Sequence, residues 1–248
     1  MTFPPIPELS EPEWPAVGRV PIDECDEPLV PLGLAPERIQ VLPAYYVDGI
    51  PGAVPVCYAR ASVRERLLTV ADRLPAGLRL VVLDAWRPFG VQQYLYDHLQ
   101  TVLREMRPDL DDNEIARRTR EFVAPPSRDR SAPSPHLTGG SVDVTVCDAD
   151  GRMLAMGSDF DEITPRSHTR HYEGSGDAST VREYRRMLYH AMTAAGFTNL
   201  PSEWWHYDFG NQQWAWYHGE PRARYGLAQP EGIAESWRRQ LSAGDAGR

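Results

Sequence analysis

The amino-acid sequence predicts an α+β domain in which helices flank a mainly antiparallel sheet. Helix-like patterns occur early, in the middle and late in the chain. An apolar, strand-like run stands between the first two of them, and a strand with strict alternation precedes a tight turn and a returning segment. At 248 residues, a single domain is long enough to bury a substantial core.

The composition is that of an ordinary globular protein and argues against some partners. Hydrophobic residues make up 42% of the chain, charged residues 25%, and the formal net charge is -9. This charge argues against nucleic acid or an anionic membrane as the main partner. No apolar run approaches the length of a membrane span, and the N-terminus lacks the pattern of a secretory signal. Three widely spaced cysteines argue against a disulfide framework, so we expect a cytoplasmic protein. The oligomeric state is not predicted.

Three segments differ in composition. Residues 1–56 are rich in proline and poor in periodicity, which predicts an N-terminal arm wrapped on the domain. Within it, residues 38–47 are expected to supply an edge strand. Residues 57–230 contain the periodic elements and form the predicted main domain. Residues 231–248 are expected to be a flexible tail.

The first helix and the first central strand follow the arm. Ser62 and Glu65 have the spacing of a capping box at a helix start. Apolar residues then recur at helical spacing, at Val63, Leu67, Val70 and Leu74. Residues 75–77, Pro-Ala-Gly, end this helix. Residues 78–83 are mostly apolar and predict a central strand.

The middle of the chain contains two helices and an alternating strand. The sequence predicts helices over residues 90–106 and 111–123, and a loop over the proline-rich residues 124–135. In the strand Ser141–Cys147 the valines face one side, and the other side carries Ser141, Asp143 and Thr145.

The remaining elements complete the predicted sheet. Residues 148–151 form the turn of a hairpin that returns through Met153 and Leu154. A late helix is expected over residues 180–195, with Gly196 ending it. Two aromatic segments are expected to be closing strands, residues 203–209 and residues 213–217.

Two distant stretches together have the residues of a metal site. One runs Ser-Pro-His-Leu-Thr-Gly-Gly-Ser-Val-Asp from Ser134, and the other is Glu-Trp-Trp-His ending at His206. They supply His136, Asp143 and His206 as ligands, with Glu203 as a spare carboxylate. Two imidazoles and one carboxylate leave a fourth position open on zinc, as catalytic sites require, and no cysteine is near to close the site. Taken singly, Asp143 could lie on a solvated strand face and His136 could be a surface histidine.

The second stretch carries a geometric difficulty. Residues three apart face opposite sides of a regular strand, and the aromatic neighbours of Glu203 and His206 favour a strand. Both side chains can meet one metal only near a bulge or a strand end. An aromatic core strand with one exposed acid is the alternative interpretation.

Arg87 stands where the chain leaves the first central strand, so its permanent charge could stabilise an oxyanion. The alternative is a surface arginine paired with Asp84. His168 and His171 are interpreted as loop structure, since no carboxylate accompanies them in register. The sequence contains neither a glycine-rich phosphate loop nor a G-x-S-x-G motif.

These motifs resemble those of the D-alanyl-D-alanine dipeptidases. The set is D-x-W-R-P, then S-x-H-x-x-G-x-x-x-D, then M-G-S-x-F-D, then E-W-W-H, in the family's order between Tyr45 and Tyr207. The family consists of zinc metallopeptidases related to the D,D-carboxypeptidases and to the hedgehog-like fold. The resemblance therefore implies a hedgehog- or D,D-peptidase-like single domain that binds one Zn²⁺ per chain.

The resemblance also implies roles for individual residues. His136, Asp143 and His206 would be the zinc ligands, Glu203 the general base and Arg87 the group that polarises the scissile carbonyl. Two residues would bind the substrate: Asp161 would receive its free ammonium group, and Ser134 matches the first serine of the family motif. The family often has a second serine before the histidine, where this chain has Pro135, which lacks both donors. The exact dipeptide is therefore not predicted.

The expected function is hydrolysis of D-alanyl-D-alanine or a closely related dipeptide in the turnover of cell-wall precursors or peptides. A D,D- or L,D-carboxypeptidase acting on longer wall peptides would use the same metal ligands with an open cleft in place of Asp161. A non-catalytic zinc-binding module is the alternative from another class, and it would need neither Glu203 nor Arg87.

Overall fold

The computed structural model describes residues 3–174 and 179–245, and its element order is α+β as predicted. The arm contains α1 (Trp14–Val17), β1 (Leu29–Pro31), β2 (Ile39–Val41) and α2 (Ala44–Val47). It is followed by β3 (Tyr58–Arg60), α3 (Ala61–Arg73) and β4 (Arg79–Asp84). The remaining elements are α4 (Phe89–Met106), α5 (Asp112–Phe122), β5 (Ser141–Cys147), α6 (Ser179–Ala194), β6 (Thr198–Asn199), β7 (His206–Asp208), α7 (Gln212–His218) and α8 (Ile233–Asp245).

A five-stranded sheet in the order β2-β4-β5-β7-β6 forms the centre of the fold. The pairs β4–β5, β5–β7 and β6–β7 are antiparallel and β2–β4 is parallel, which confirms a mainly antiparallel sheet. Strand β2 lies at an edge, as predicted, but only Ile39–Val41 of residues 38–47 form it. Residues 44–47 form helix α2 instead, since Pro43 has no N–H with which to continue the strand pairing. The register places Asp143 opposite His206 across β5 and β7, and pairs Asp143 with Asp84 across β4 and β5. Strand pairing thus brings the predicted site residues together.

The core lies between the sheet and the helices α3 and α6. The valines of β5 are fully buried there with apolar residues of both helices, among them Val63, Leu67, Leu188 and Met192. The opposite face of β5 is covered as well, since all seven of its residues are buried. Asp143 therefore lies in the protein interior and not on a solvated strand face. An unpaired charge in the interior would be costly.

Two local predictions are wrong for identifiable reasons. Helix α3 begins at Ala61 and has no side-chain cap, because the hydroxyl of Ser62 instead bonds Glu27 and the hydroxyl of Tyr225. A tertiary contact therefore replaces the expected capping box. Residues 213–217 form helix α7 and not a strand, because the side chain of Asn211 accepts the backbone N–H of Trp214 and caps a helix start.

The arm and the tail contain more regular structure than composition suggested. The arm contributes two short helices and two strands to the fold. The segment predicted as a tail contains α8, on which Ile233, Trp237 and Leu241 are exposed. The boundaries at residues 56 and 230 stay predictions. Within the described residues, no helix is both long enough and apolar enough to cross a membrane.

Candidate metal and active site

Three buried side chains from distant segments converge at one point. The Nε2 of His136 lies 3.2 Å from the Nδ1 of His206, and that Nδ1 lies 3.1 Å from an Oδ1 of Asp143. The Nε2 of His136 is 3.5 Å from the other carboxylate oxygen of Asp143. One ligand atom from each residue falls within 4.8 Å of the others. Among the described residues, this is the group with the composition and geometry to hold a metal ion.

His136 lies on a short 3₁₀ turn between the proline-rich loop and β5. Its Nδ1 donates to the backbone oxygen of Ala85 at 2.7 Å, so its Nε2 presents a lone pair to the cluster. Burial, together with the charge of Arg87, lowers the pKa of His136 to about 3, which keeps the imidazole neutral. Gly139, with φ +71°, then turns the chain into β5. A Cβ at Gly139 would lie 2.2 Å from Leu29.

His206 is oriented by a carboxylate two residues along its own strand. Its Nε2 lies 3.1 Å from an oxygen of Asp208, which is fully buried, and its Nδ1 faces the cluster. Asp208 in turn accepts hydrogen bonds from Ser141 and from Asn211, both at 2.6 Å. Metal-binding histidines commonly use such a carboxylate on the second ring nitrogen, which fixes the tautomer. In each histidine, therefore, a hydrogen bond holds one ring nitrogen and leaves the other nitrogen to bind a metal ion.

Glu203 lies in the turn that precedes β7, which resolves the geometric difficulty in the sequence. The backbone N–H of His206 donates to the carbonyl of Glu203, so the two residues are joined by a turn and not by a strand. An oxygen of Glu203 is 3.9 Å from the Nδ1 of His206. Burial, reinforced by Asp143 and Asp161, raises the pKa of Glu203 to about 8, while His206 opposes this shift. Of the two alternatives, the strand-end interpretation is therefore correct.

Arg87 is buried at the site and is not a surface residue. Its guanidinium bonds Asp84 at 2.8 Å and Gln92 at 2.8 Å, and it lies 3.3 Å from Asp143. It also donates to the hydroxyl of Tyr45 at 3.2 Å. Burial opposes its charge, but these neighbours outweigh burial and raise the pKa of Arg87 above its ordinary value. Arg87 does pair with Asp84, as the sequence analysis considered, but the pair lies inside the site and not on the surface.

Asp161 reaches the site from the loop after the predicted hairpin. The hydroxyl of Tyr45 donates to its carboxylate at 2.6 Å, so Tyr45 bridges Asp161 and Arg87. Asp161 has φ +57°, a backbone conformation that non-glycine residues rarely adopt and that often occurs at functional sites. Burial raises its pKa to about 6.

Ser134 is buried next to His136, with its hydroxyl engaged in the loop. The Oγ donates to the backbone oxygen of Pro125 at 3.0 Å and accepts from the N–H of Ser127 at 2.7 Å. These bonds hold the proline-rich loop against the turn that carries His136. The predicted contact between Ser134 and substrate stays a prediction.

Several residues that support the site were assigned no role in it from the sequence: Tyr45, Asp84, Gln92, Asp208 and Asn211. Only two of them carried a local signal. Asp84 belongs to the D-x-W-R-P motif and lies 3.3 Å from the Nδ1 of His136, and Asp208 shares a strand face with His206 at a spacing of two. Tyr45 is brought in from the arm by tertiary structure alone.

Comparison with known proteins agrees with this geometry. Residues 53–222 match the family model described as D-Ala-D-Ala dipeptidase. The chain is 31% identical over 227 residues to a D-alanyl-D-alanine dipeptidase of Synechocystis sp., covering 81% of this chain and 89% of that protein. It is 35% identical over 169 residues to one from Enterococcus faecium, covering 66% of this chain and 75% of the relative.

Comparison with solved structures also gives a match. It is a mutant of the vancomycin-resistance D,D-pentapeptidase VanY in complex with Zn(II), 18% identical, with a TM-score of 0.44 over 84% of this chain and 96% of that one. The family match covers most of the chain and includes every predicted site residue. The chain is a peptidase that belongs to the D-Ala-D-Ala dipeptidase family.

Proposed function

We propose that this chain is a zinc-dependent dipeptidase that hydrolyses D-alanyl-D-alanine or a closely related dipeptide. The observation that carries the proposal is the convergence of His136, Asp143 and His206 within 4.8 Å, with the carboxylate of Glu203 beside them. Family membership supports the same activity, since the matched relatives are named D-alanyl-D-alanine dipeptidases.

The donor set fits one zinc ion per chain. Zinc binds nitrogen and carboxylate oxygen ligands, and three protein ligands are typical of catalytic sites. The second nitrogens of both histidines have acceptors, Ala85 and Asp208, as zinc-bound histidines usually do. When bound, zinc would lower the pKa of a water ligand toward about 7 and polarise a carbonyl group.

Glu203 is proposed as the general base. Its carboxylate lies 3.9 Å from the Nδ1 of His206, beside the proposed metal ligands, and burial raises its pKa, which strengthens it as a base. Its Oε2 would accept the proton of the attacking water and pass it to the nitrogen of the leaving amino acid. Its burial protects this proton transfer from bulk solvent.

Arg87 is proposed to stabilise the oxyanion that forms at the scissile carbonyl. Its charge is permanent, and its contacts with Asp84 and Gln92 fix the guanidinium in place. Preorganised donors of this kind cost no reorganisation during reaction, and loss of one typically costs about a hundredfold or more in rate.

Asp161 is proposed to bind the substrate's ammonium group. Its carboxylate accepts a hydrogen bond from Tyr45, and its charge acts on both Glu203 and Arg87. A carboxylate held at a fixed distance from the metal ligands would require a free amino terminus, which selects dipeptides over longer wall peptides. This disfavours the D,D- or L,D-carboxypeptidase alternative, and the buried Glu203 and Arg87 disfavour a non-catalytic zinc module.

A hydrolysis screen with metal analysis tests the proposal. The zinc-loaded chain should cleave D-Ala-D-Ala in preference to L,D and L,L dipeptides and leave a wall pentapeptide intact. Glu203→Ala should keep its zinc and lose hydrolysis, because Glu203 is not a ligand. Pentapeptide cleavage would favour the carboxypeptidase, and loss of zinc from Glu203→Ala would refute the assigned role.

We also propose that the enzyme acts in the cytoplasm on a cell-wall precursor or a recycled wall peptide. Three free cysteines, two of them buried, fit a reducing compartment. Cell fractionation with an antibody to the chain tests this location. Recovery in the membrane or exported fraction would contradict it.

A further inference from the structure

The motif Met-Gly-Ser-Asp-Phe-Asp begins the loop of residues 156–168, which carries Asp161. Asp161 accepts a hydrogen bond from Tyr45, and its backbone has φ +57°. A carboxylate on a loop can select a ligand by length only if other groups hold the loop, because binding groups must keep their geometry to within about 0.5 Å. The first residues of the motif and helix α6 supply such groups.

A buried arginine of helix α6 holds both ends of this loop. Arg185 is 2% exposed, and its Nε donates to the backbone oxygen of Met156 at 2.7 Å, where the loop begins. Its two terminal nitrogens donate to the backbone oxygens of Arg166 and His168, both at 2.6 Å, where the loop ends. A guanidinium group presents its donors in a rigid planar fork, so one side chain fixes the positions of three carbonyl groups.

The hydroxyl group of Ser158 joins the loop to the segment that contains the general base. Its Oγ accepts the indole N–H of Trp204 at 2.9 Å and lies 3.4 Å from a terminal nitrogen of Arg185. Trp204 is 3% exposed and directly follows Glu203. The backbone N–H of Trp204 also donates to the carbonyl of Ser167 at 2.9 Å, near the end of the loop. Two hydrogen bonds of one tryptophan therefore connect the loop to the general base.

The distance between the two functional carboxylates depends on this network. Asp161 follows Ser158 by three residues, and Glu203 directly precedes the tryptophan that Ser158 contacts. We propose that Ser158 and Arg185 are positioning residues that hold Asp161 at the distance from the general base that a dipeptide requires. This inference rests on the proposed function, in which Asp161 receives the substrate's ammonium group.

A double-mutant cycle on the hydrolysis of D-Ala-D-Ala tests the proposal. Ser158→Ala removes the acceptor of the indole N–H, so the KM should rise about fivefold with kcat unchanged, as for loss of one neutral hydrogen bond. In the Asp161→Asn background the same change should leave kcat/KM unaltered, because Ser158 acts through the carboxylate of Asp161. Thr164→Val is the matched control. Its hydroxyl bonds Glu162 inside the loop and not the segment of the general base, so its KM should stay normal.

Hydrogen exchange of the full chain, read by mass spectrometry, tests the network without relying on activity. Ser158→Ala should speed amide exchange in peptides from residues 156–168. Unchanged exchange in this variant would overturn the proposal, as would equal losses of kcat/KM in the two backgrounds or a raised KM in Thr164→Val. An inactive parent chain would instead refute the proposed function, and the exchange result alone would then decide whether Ser158 holds the loop.

Discussion

At the scale of single residues, the site depends on which nitrogen each histidine leaves free. The carbonyl of Ala85 holds the Nδ1 of His136, and the carboxylate of Asp208 holds the Nε2 of His206. One backbone group and one side chain thus orient two imidazoles toward the same point. Of these two supports, only Asp208 can be removed by substitution without altering the backbone.

Asp208→Asn should weaken zinc binding by about ten- to a hundredfold, the usual effect of losing a partner behind a metal ligand. The amide is nearly isosteric but lacks the negative charge that favours the N–H on Nε2 of His206. Competition with a chromophoric chelator measures the affinity. Asp148→Asn, in the exposed hairpin turn, is the control, and equal affinities in the two variants would show that Asp208 has no role in binding the metal.

The pKa of Asp161 gives the enzyme an expected pH dependence at acid pH. Burial raises this pKa from 3.8 to about 6, so the carboxyl group becomes neutral as the pH falls below 6. A neutral carboxyl group cannot pair with the substrate's ammonium group. The KM for D-Ala-D-Ala should therefore rise about tenfold per pH unit below this pKa. The KM of Asp161→Asn should be high and insensitive to pH between 5 and 7, and a steep profile in that variant would assign the titration to another group.

At the scale of elements, patterns with strong periodicity were predicted well. Strand β5 and helices α4, α5 and α6 appear within one or two residues of their expected bounds, because their packing obeys the period visible in the sequence. Helix α7 was missed, since its aromatic residues favour strands and its cap, Asn211, was not weighed. The three predicted ligand residues were found because motifs marked them. Tyr45 was not found, because only a tertiary contact brings it from the arm to the site.

The turn between His136 and β5 provides an element-scale prediction. Gly139→Ala forces a side chain into the left-handed region, which costs about 1–2 kcal/mol, and brings a Cβ within 2.2 Å of Leu29. Gly77→Ala is the matched control, since its φ is +87° but nothing lies near its Cβ. Urea denaturation should show a lower free energy of unfolding in both variants, with the larger decrease in Gly139→Ala. Only Gly139→Ala should lose zinc affinity. Normal zinc binding by Gly139→Ala would show that this turn does not set the position of His136.

At the scale of the whole molecule, one buried arginine joins the arm, the site loop and the C-terminal segment. Arg60 is 3% exposed and pairs with both carboxylate oxygens of Glu24 at 2.9 and 3.0 Å. It also donates to the backbone oxygens of Glu27, Thr138 and Gly226. No periodicity or motif marks such a residue, because its partners lie 33 to 166 positions away in the chain. The arm is therefore part of the folded domain.

Arg60→Gln should lower the free energy of unfolding by about 3 kcal/mol, since removing one partner of a buried ion pair leaves the other uncompensated. Glu24 is 30% exposed, so solvent limits the loss to the lower end of the range for buried pairs. Arg64→Gln, in the first turn of helix α3 that follows Arg60, removes a pair with an exposed Glu65 and should cost less than about 1 kcal/mol. Urea denaturation measures both values, and limited proteolysis should cut the arm faster only in Arg60→Gln. If the two variants lost equal stability and kept equal resistance to protease, the arm would be held by its apolar contacts, such as the fully buried Leu32, and not by this arginine.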